Sequence, residues 1–215
     1  DPGFGAAGKP ERGALKGQAR RQRGNERATV HVTGSGFRDR MQVTALRAGM
    51  PQGRLDASGE IAWSPRLSWT AKATLAGFDP GYFAPDWPGA VNGMVLFSGV
   101  RRDNGSLLAD VEASNLGGTL RGRALRGRGT LNIDGDNYAG DVALGLGDSR
   151  IDAKGSIAAT MQVDANLAPL HLDDLLPDGR GVLRGTLKLR GARNAPDIDI
   201  DLAGDGIAFG DYRAE

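Results

Sequence analysis

The stretch Gly181–Leu202, with the sequence GVLRGTLKLRGARNAPDIDIDL, decides the fold of this chain. Leu183, Leu187 and Leu189 alternate with charged or hydroxyl side chains, and after a turn three aliphatic residues alternate with aspartates. Successive side chains of a strand point to opposite faces, so strict alternation predicts strands with one apolar and one polar face. The stretch therefore predicts two neighbouring strands that share one apolar face.

The same pattern extends along most of the chain, and Gly, Asn and Asp separate the runs, as in Asp103–Gly105 and Gly147–Ser149. We expect about 12–15 strands joined mostly as an antiparallel meander, roughly 60–70 Å long at a strand spacing of about 4.8 Å. Residues 169–177 (PLHLDDLLP) instead predict a short helical turn, with residues 79–88 as its counterpart. Further alternating runs are Leu67–Leu75, Leu131–Ile133, Val142–Leu146 and Met161–Leu167.

Composition excludes several classes of protein. Cysteine is absent, which excludes a disulfide scaffold and a zinc site built on thiolates. The net charge is +1, so nothing points to nucleic acid as the partner. No apolar run approaches the roughly 20 residues of a membrane helix. Because the chain begins Asp1-Pro2 without Met, we expect any targeting or anchoring segment to lie outside it.

The chain contains an internal repeat. Phe83–Gly99 (FAPDWPGAVNGMVLFSG) lies over Leu175–Gly191 (LLPDGRGVLRGTLKLRG) without a gap, at an offset of 92 residues. RLDASGEIA from position 54 matches RIDAKGSIA from position 150, at an offset of 96. The offset falls from 96 to 92 toward the C-terminus, so the first copy contains extra residues. These predict longer loops in the first copy, one near Trp63–Arg66 and one that places Arg20–Arg27 at a lengthened hairpin tip.

We therefore divide the chain into residues 1–102, the first copy, and residues 103–215, the second copy with the start of a following unit. Both belong to one continuous elongated sheet. A Gly-x-φ-x-Gly unit, where φ is an apolar residue, begins at Gly13, Gly89 and two further glycines. Glycine inside a strand marks a bulge or bend, and repeated bends would curl a long sheet into a trough.

Chemistry-bearing residues are few, and they predict no catalytic residue, no metal site and no cofactor. The two histidines are His31, expected on a polar strand face, and His171, expected to be solvated or to cap the short helical turn. The aspartates of 197–201 form a ladder with a spacing of about 6.5 Å, too wide for one calcium ion. We expect them to pair with the basic residues of 184–190. The basic stretch Lys9–Arg27 predicts a solvated loop or a site for an acidic partner.

The apolar face is the remaining candidate for a functional site, because no amphipathic helix is available to cover it. Its partner must be the folded-over half of the same sheet, another protein or an apolar ligand. From the pattern alone, a dry core and a ligand-holding trough both remain open.

The stretch Leu167–Gly191 (LAPLHLDDLLPDGRGVLRGTLKLRG), followed by a proline-marked turn and another strand, resembles the TamB family of Gram-negative envelope proteins. Leu75–Gly99 resembles it too, although this first copy has Phe83-Ala84 and Trp87-Pro88 where the second has Leu-Leu and Gly-Arg. The resemblance covers most of the chain.

The resemblance implies a periplasmic location, with an inner-membrane anchor outside this chain, and a curled, taco-like β-sheet with an apolar concave groove. It also implies a link to phospholipid passage between the membranes and to an Omp85-type, TamA-like barrel partner in the outer membrane. The predicted function is therefore non-enzymatic shielding of phospholipid acyl chains. The predicted groove residues are Trp69, Leu75, Val95, Phe97, Leu131, Ile133, Val142, Leu144, Met161, Val163, Leu167, Leu183, Leu187, Leu189, Ile198, Ile200 and Leu202.

Two other functions remain open from the sequence. The sheet could act as a scaffold or chaperone that pairs with unfolded outer-membrane strands at its edges. A secreted adhesin or passenger solenoid would instead have a closed dry core and shorter, more regular repeats.

Overall fold

A computed structural model describes residues 13–23, 26–49, 52–176, 178–209 and 212–214 of the chain. Within them lie 14 strands, one 3₁₀ turn (Pro80–Tyr82) and one α-helical turn, α1 (Leu172–Leu175). The strands are β1 (Gly13–Arg23), β2 (Glu26–Gly36), β3 (Arg40–Gly49), β4 (Arg54–Ala62), β5 (Ser68–Phe78), β6 (Gly89–Arg101), β7 (Leu107–Leu120), β8 (Arg123–Asp134), β9 (Asn137–Leu146), β10 (Ser149–Ile157), β11 (Thr160–His171), β12 (Gly179–Ala192), β13 (Ala195–Phe209) and β14 (Tyr212–Ala214).

The strands form one open sheet in which each strand pairs antiparallel with the next along the chain, from β1 to β14. This confirms the all-β class, the meander and the expected number of strands. Both predicted helical turns are also present, at the two expected places. Each lies between two strands that pair directly with each other, β5 with β6 and β11 with β12.

Register is fixed so that apolar residues meet apolar residues across neighbouring strands. Phe97 of β6 lies opposite Val111 of β7, which lies opposite Leu131 of β8. The adjacent positions Ser98, Asp110 and their neighbours meet on the other face. Because the side-chain period is two, a slip of one residue would place a strand's charged residues beside the apolar residues of its neighbours, so the shared pattern specifies the register.

The register shifts of the sheet recur at the offset of the predicted repeat. The pairing of β5 with β6 shifts between Leu75 and Phe78, and the pairing of β11 with β12 shifts between Leu167 and Leu170, 92 residues later. Gly93 and Gly185 show the same offset and have positive φ values of 151° and 139°. The glycines therefore lie at real bulges, while the division of the chain at residues 102 and 103 stays a prediction.

The arginine-rich stretch Arg20–Arg27 differs from the expectation of a loop. Strands β1 and β2 pair as far as Arg23 and Glu26, so most of the stretch belongs to the strands of a long hairpin. Residues 24–25 at its tip, and Lys9 with the rest of the N-terminal end of the basic stretch, lie outside the described residues. The stretch therefore flanks a hairpin tip, as predicted, but its residues lie on the paired strands and not in a loop.

The sheet is a single layer for most of its length. The chain exposes 14397 Å², against about 9,500 Å² for a compact monomer of this mass. The buried cluster among the described residues is small and consists of Val91, Leu125 and Leu146. A closed dry core is therefore not the arrangement of this sheet, in which central apolar residues such as Phe97, Leu131 and Val142 stay about two-fifths exposed.

We expect Gly185→Ala to destabilise the sheet strongly. A Cβ at this position would lie 1.9 Å from the carbonyl oxygen of Asp201 on β13, and φ is +139°. Backbone strain and displacement of a paired strand together predict a loss of about 2 kcal/mol or more in the free energy of unfolding. The measurement is urea unfolding followed by circular dichroism.

Gly145→Ala is the matched control, because it changes another strand glycine whose added Cβ would have no atom closer than 3.6 Å. It should shift the unfolding free energy by less than about 1 kcal/mol. Equal stability of the two variants would show that the bulge at Gly185 does not require glycine.

Candidate functional site

The candidate site is the apolar face of the sheet, which consists of rows of residues that face one another across β3 to β13. Its central row is Val43, Gly59, Ala71, Phe97, Val111, Leu131, Gly140, Gly155, Val163, Leu189 and Ile198. On one side of it lies the row Met41, Ile61, Trp69, Gly99, Ala109, Ile133, Tyr138, Ile157, Met161, Gly191 and Pro196.

The row on the other side of the central row has small side chains over eight consecutive strands. From Ala57 on β4 to Ala165 on β11, no side chain in this row is larger than valine. We call it the small-residue row. Its members are Leu46, Ala57, Ala73, Val95, Ala113, Gly129, Val142, Ala153, Ala165, Leu187 and Ile200.

The register places every predicted groove residue on this face. The structure adds residues that the prediction omitted, such as Leu55, Ile61, Ile151 and Ile157. The signal for them was in the sequence, because RLDASGEIA and RIDAKGSIA alternate in the same way as the chosen runs. Short, alanine-containing runs were passed over in favour of runs rich in leucine and isoleucine.

The large side chains of the face are partly exposed. Phe97 and Val142 are each 42% exposed, and Ile198 and Ile200 near the last strands are 58% and 56% exposed. Trp69 lies over Gly99, where an added Cβ would approach its ring to 2.3 Å, and its ring centroid is 5.7 Å from that of Phe97. Its indole N–H is buried without a hydrogen-bond acceptor, so this face offers the ring as apolar surface.

One margin of the face is covered, and we call it the closed margin. The segment Asp79–Pro88 and the segment Leu172–Leu176 bring Trp87 and Leu175 against the buried cluster of Val91, Leu125 and Leu146. Asp79 Oδ1 accepts hydrogen bonds from the backbone N–H groups of Gly81 and Gly89, which fixes the first segment. The apolar face therefore ends at this margin in a small closed core.

A buried carboxylate holds the second segment in place. Asp174 is 1% exposed, and its Oδ2 accepts hydrogen bonds from Ser149 Oγ at 2.6 Å and Ser149 N at 3.2 Å. Its Oδ1 lies 3.1 Å from Nε of Arg123. Arg121 on the same β7–β8 turn donates to the Asp174 carbonyl at 3.0 Å and lies over the Trp87 ring. The two arginines thus connect both covering segments.

His171 takes no part in this network through its ring. Its backbone N–H donates to Ser149 Oγ at 2.9 Å, and it occupies the N-cap position of α1 without a side-chain capping bond. Of the two expected roles, side-chain capping is therefore wrong, because the ring makes no capping hydrogen bond. His31 is exposed on the polar face, as predicted from its position between two valines.

The opposite margin carries exposed apolar residues, and we call it the open margin. Ile61, Leu67 and Tyr138 are 40%, 41% and 40% exposed, and Trp63 is 48% exposed. Trp63 is nevertheless held in place, because its indole Nε1 donates to the carbonyl oxygen of Arg38 at 2.9 Å.

An ion pair fixes the β6–β7 turn at the open margin. The Arg102 guanidinium donates a hydrogen bond to Asp134, which lowers the pKa of that carboxyl and raises the pKa of Arg102. Because the folded-state pKa of Asp134 is lowered, this stabilisation is present above its unfolded pKa and is lost as the pH falls through the folded value.

The polar face carries ion pairs between neighbouring strands. Lys188 lies 4.0 Å from Asp199, as expected for the acidic ladder, but Arg190 pairs with Asp164 on β11 instead of Asp197. Depressions also occur on this face, between long side chains such as those of Lys72 and Glu112. They are open gaps between side chains and do not enclose a cavity.

A single-layer sheet with repeated glycine bulges and one largely uncovered apolar face defines an elongated β-repeat protein. Among the residues that the structure describes, no helix is long and apolar enough to cross a membrane. Residues 12–215 match the family described as TamB, N-terminal domain. The chain therefore belongs to the TamB family, which confirms the resemblance seen in the sequence.

A curated relative supports this assignment. The chain is 22% identical over 170 residues to the translocation and assembly module subunit TamB of Haemophilus influenzae (strain ATCC 51907 / DSM 11121 / KW20 / Rd). The match covers 77% of this chain and 13% of the relative, so the chain spans only a small part of that protein. No solved structure matches the chain.

We expect Asp174→Ala to release the Leu172–Leu176 segment. The change leaves Ser149 and Arg123 without their carboxylate, which predicts a loss of about 2–3 kcal/mol in the free energy of unfolding. Asp173→Ala is the control, because Asp173 also pairs with Arg123 but is about half exposed, and it should cost less than about 1 kcal/mol. Urea unfolding distinguishes them, and equal losses would contradict the assigned role of Asp174.

Proposed function

We propose that this chain is a periplasmic segment of an envelope-biogenesis protein that shields phospholipid acyl chains during transport between the inner and outer membranes. The protein would be anchored in the inner membrane by a segment outside this chain. One observation carries the proposal: an apolar face continues across β3 to β13 while several of its large side chains, such as Phe97, Leu131 and Ile198, stay exposed. Family membership supports the envelope setting, since the relative is named as a subunit of a translocation and assembly module.

The hydrophobic effect favours a ligand on this face. A soluble monomer rarely leaves a contiguous apolar surface of more than a few hundred Å² uncovered. Each acyl CH₂ group removed from water contributes about 0.8 kcal/mol, so even a partly shielded chain binds favourably. The side chains that make this contact in our proposal are the groove residues predicted from the sequence, with Ile61, Ile151 and Ile157 added.

The small-residue row supports a path for the acyl chain. Between β4 and β11 it is flanked by larger side chains, such as Phe97 and Leu131 on one side and Leu144 and Leu167 on the other. Alanine, glycine and valine make a shallow depression between these neighbours. The bulges beside this row increase local twist, and we propose that they curl the sheet into the groove that the family resemblance implies.

The proposed function requires no chemical step and no cofactor. Ser149 and Asp174 form the buried polar pair, but they bond each other and the backbone, with no histidine ring between them. Both are sealed beneath the Leu172–Leu176 segment, and each is 2% exposed or less. The geometry supports a structural role for them.

The second candidate is a scaffold for outer-membrane protein assembly with an Omp85-type barrel partner. The relative's name favours it, since that protein is a subunit of a translocation and assembly module. In this role the ligand would be an extended polypeptide.

Photo-crosslinking in cells tests the first proposal. A photoreactive residue at Val163 or Leu189, which pair on the apolar face, should yield phospholipid adducts. The controls are Asp164 and Lys188, which pair with each other one residue away on the polar face and should yield none. The four positions lie at nearly the same level along β11 and β12, so the comparison changes only the face of the sheet.

The adducts separate the candidates. Equal lipid labelling on both faces would contradict an acyl-binding face. Crosslinks from Val163 and Leu189 to outer-membrane protein segments without lipid would favour the scaffold.

A further inference from the structure

Charged side chains share the parity of the apolar face only near its margins, and two of them, Arg101 and Arg123, lie at opposite margins of neighbouring hairpins. Arg101 is two residues beyond Gly99 on β6 and lies opposite Leu107 of β7. Its backbone N–H donates to the carbonyl oxygen of Leu67 at 2.8 Å, so Leu67, Arg101 and Leu107 continue the face at the open margin. Arg123 lies opposite Leu120 at the closed margin.

The two arginines differ in their partners. Arg123 is neutralised by the covering segment, with Asp173 at 2.5 Å and Asp174 at 3.1 Å. Arg101 is exposed and forms no ion pair within the part of the chain that the structure describes. Because its guanidinium is exposed and has no counterion among the described residues, it is available to pair with an anionic group of a ligand.

The nearby carboxylates are already engaged. Asp103 pairs with Arg66 at 2.8 Å, and Asp134 pairs with Arg102. These pairs compensate the other basic residues of the same turns and leave the Arg101 guanidinium beside Gly105. The open margin therefore presents one uncompensated planar cation next to apolar side chains.

An insertion near Arg101 adds an exposed tryptophan to the same margin. In the second copy the β10–β11 turn closes with Ala158 and Ala159, where Ala158 N donates to Thr160 O at 2.9 Å. The first copy has the longer turn Trp63–Leu67 at the equivalent place. The extra residues are thus not needed to close the hairpin, yet Trp63 is held rigidly and 48% exposed.

We propose that the open margin at Arg101 binds the phosphate of a phospholipid headgroup, an inference that rests on the proposed acyl-binding function. The guanidinium presents two parallel N–H donors that match phosphate oxygens. The Trp63 ring provides the amphipathic surface that tryptophan offers at the boundary between headgroups and acyl chains. The acyl chains then extend from Trp69 toward the small-residue row.

The dimensions of the face agree with this orientation. From Arg101 to Val91 at the closed margin, β6 spans ten residues, which is about 34 Å at 3.4 Å per residue. One leaflet of a bilayer is about 15 Å of hydrocarbon. A chain that starts at Arg101 therefore extends about four residues along β6, to the row of Phe97, and stays clear of the closed margin.

The test compares two ligands that differ only in the phosphate-containing headgroup. Palmitoyl lysophosphatidylglycerol and monopalmitoylglycerol carry the same acyl chain, and equilibrium dialysis below their micelle concentrations measures both affinities for this chain. Arg101→Gln should weaken binding of the lysophospholipid by about 5–10-fold, as expected for one charge-assisted bidentate contact. Binding of monopalmitoylglycerol should not change, and Arg101→Lys should restore part of the loss.

Arg128→Gln is the control, because Arg128 is an exposed arginine on the polar face without an ion pair among the described residues. It removes the same charge and should leave both affinities unchanged. Equal weakening by the two substitutions would overturn the proposal in favour of a general effect of net charge. Arg101-dependent binding of inorganic phosphate alone, as tight as that of the lysophospholipid, would overturn it in favour of a free-anion site.

The outcomes separate this inference from the function on which it rests. If both ligands bind and Arg101→Gln changes neither, the acyl-binding face stands and the headgroup site is wrong. If neither ligand binds the unchanged chain, the acyl-binding function itself fails.

Discussion

The period-two register of the strands is the constraint on which the rest of the structure depends. Each strand has one apolar and one charged face, so a single slipped strand would place a row such as Asp164 and Lys188 among leucines. Between the rows of Trp69 and Val95 the pairings from β5 to β13 are free of register shifts. The shifts among these strands all lie nearer the closed margin. One half of the face is thus regular, and the other half is bent by bulges.

This difference explains why the two margins have different surroundings. Bulges such as the one between Leu75 and Phe78 disrupt the ladder and allow the chain to leave the sheet, and the covering segments start there. Their carboxylates then meet the arginines of the β7–β8 turn. Asp174 is buried, and removing its partners would leave its negative charge buried and unpaired. The closed margin is therefore stabilised by interactions that must form together. The regular half has no such closure.

The fold was predictable because its signal is local. Alternation placed every predicted groove residue on the apolar face that the register forms, and the repeat identified both helical turns. The Asp174–Ser149 contact was not predictable, since it joins residues 25 positions apart through a bulge that changes which side chains share a face. Arg101 was within reach of the same reasoning. It has the parity of Val95, Phe97 and Gly99, but the prediction for the apolar face included no charged residue.

The internal repeat places an equivalent of the proposed headgroup site farther along the sheet. Arg193 stands 92 residues after Arg101, at the same position relative to its glycine, Gly191. It donates to the backbone carbonyl of Asp136, a neutral acceptor that leaves its charge uncompensated. The strands β6 and β12 are six positions apart, or about 29 Å at 4.8 Å per strand. Between them the apolar rows offer no fixed polar contact, so an acyl chain could slide while its phosphate passed from one arginine to the next.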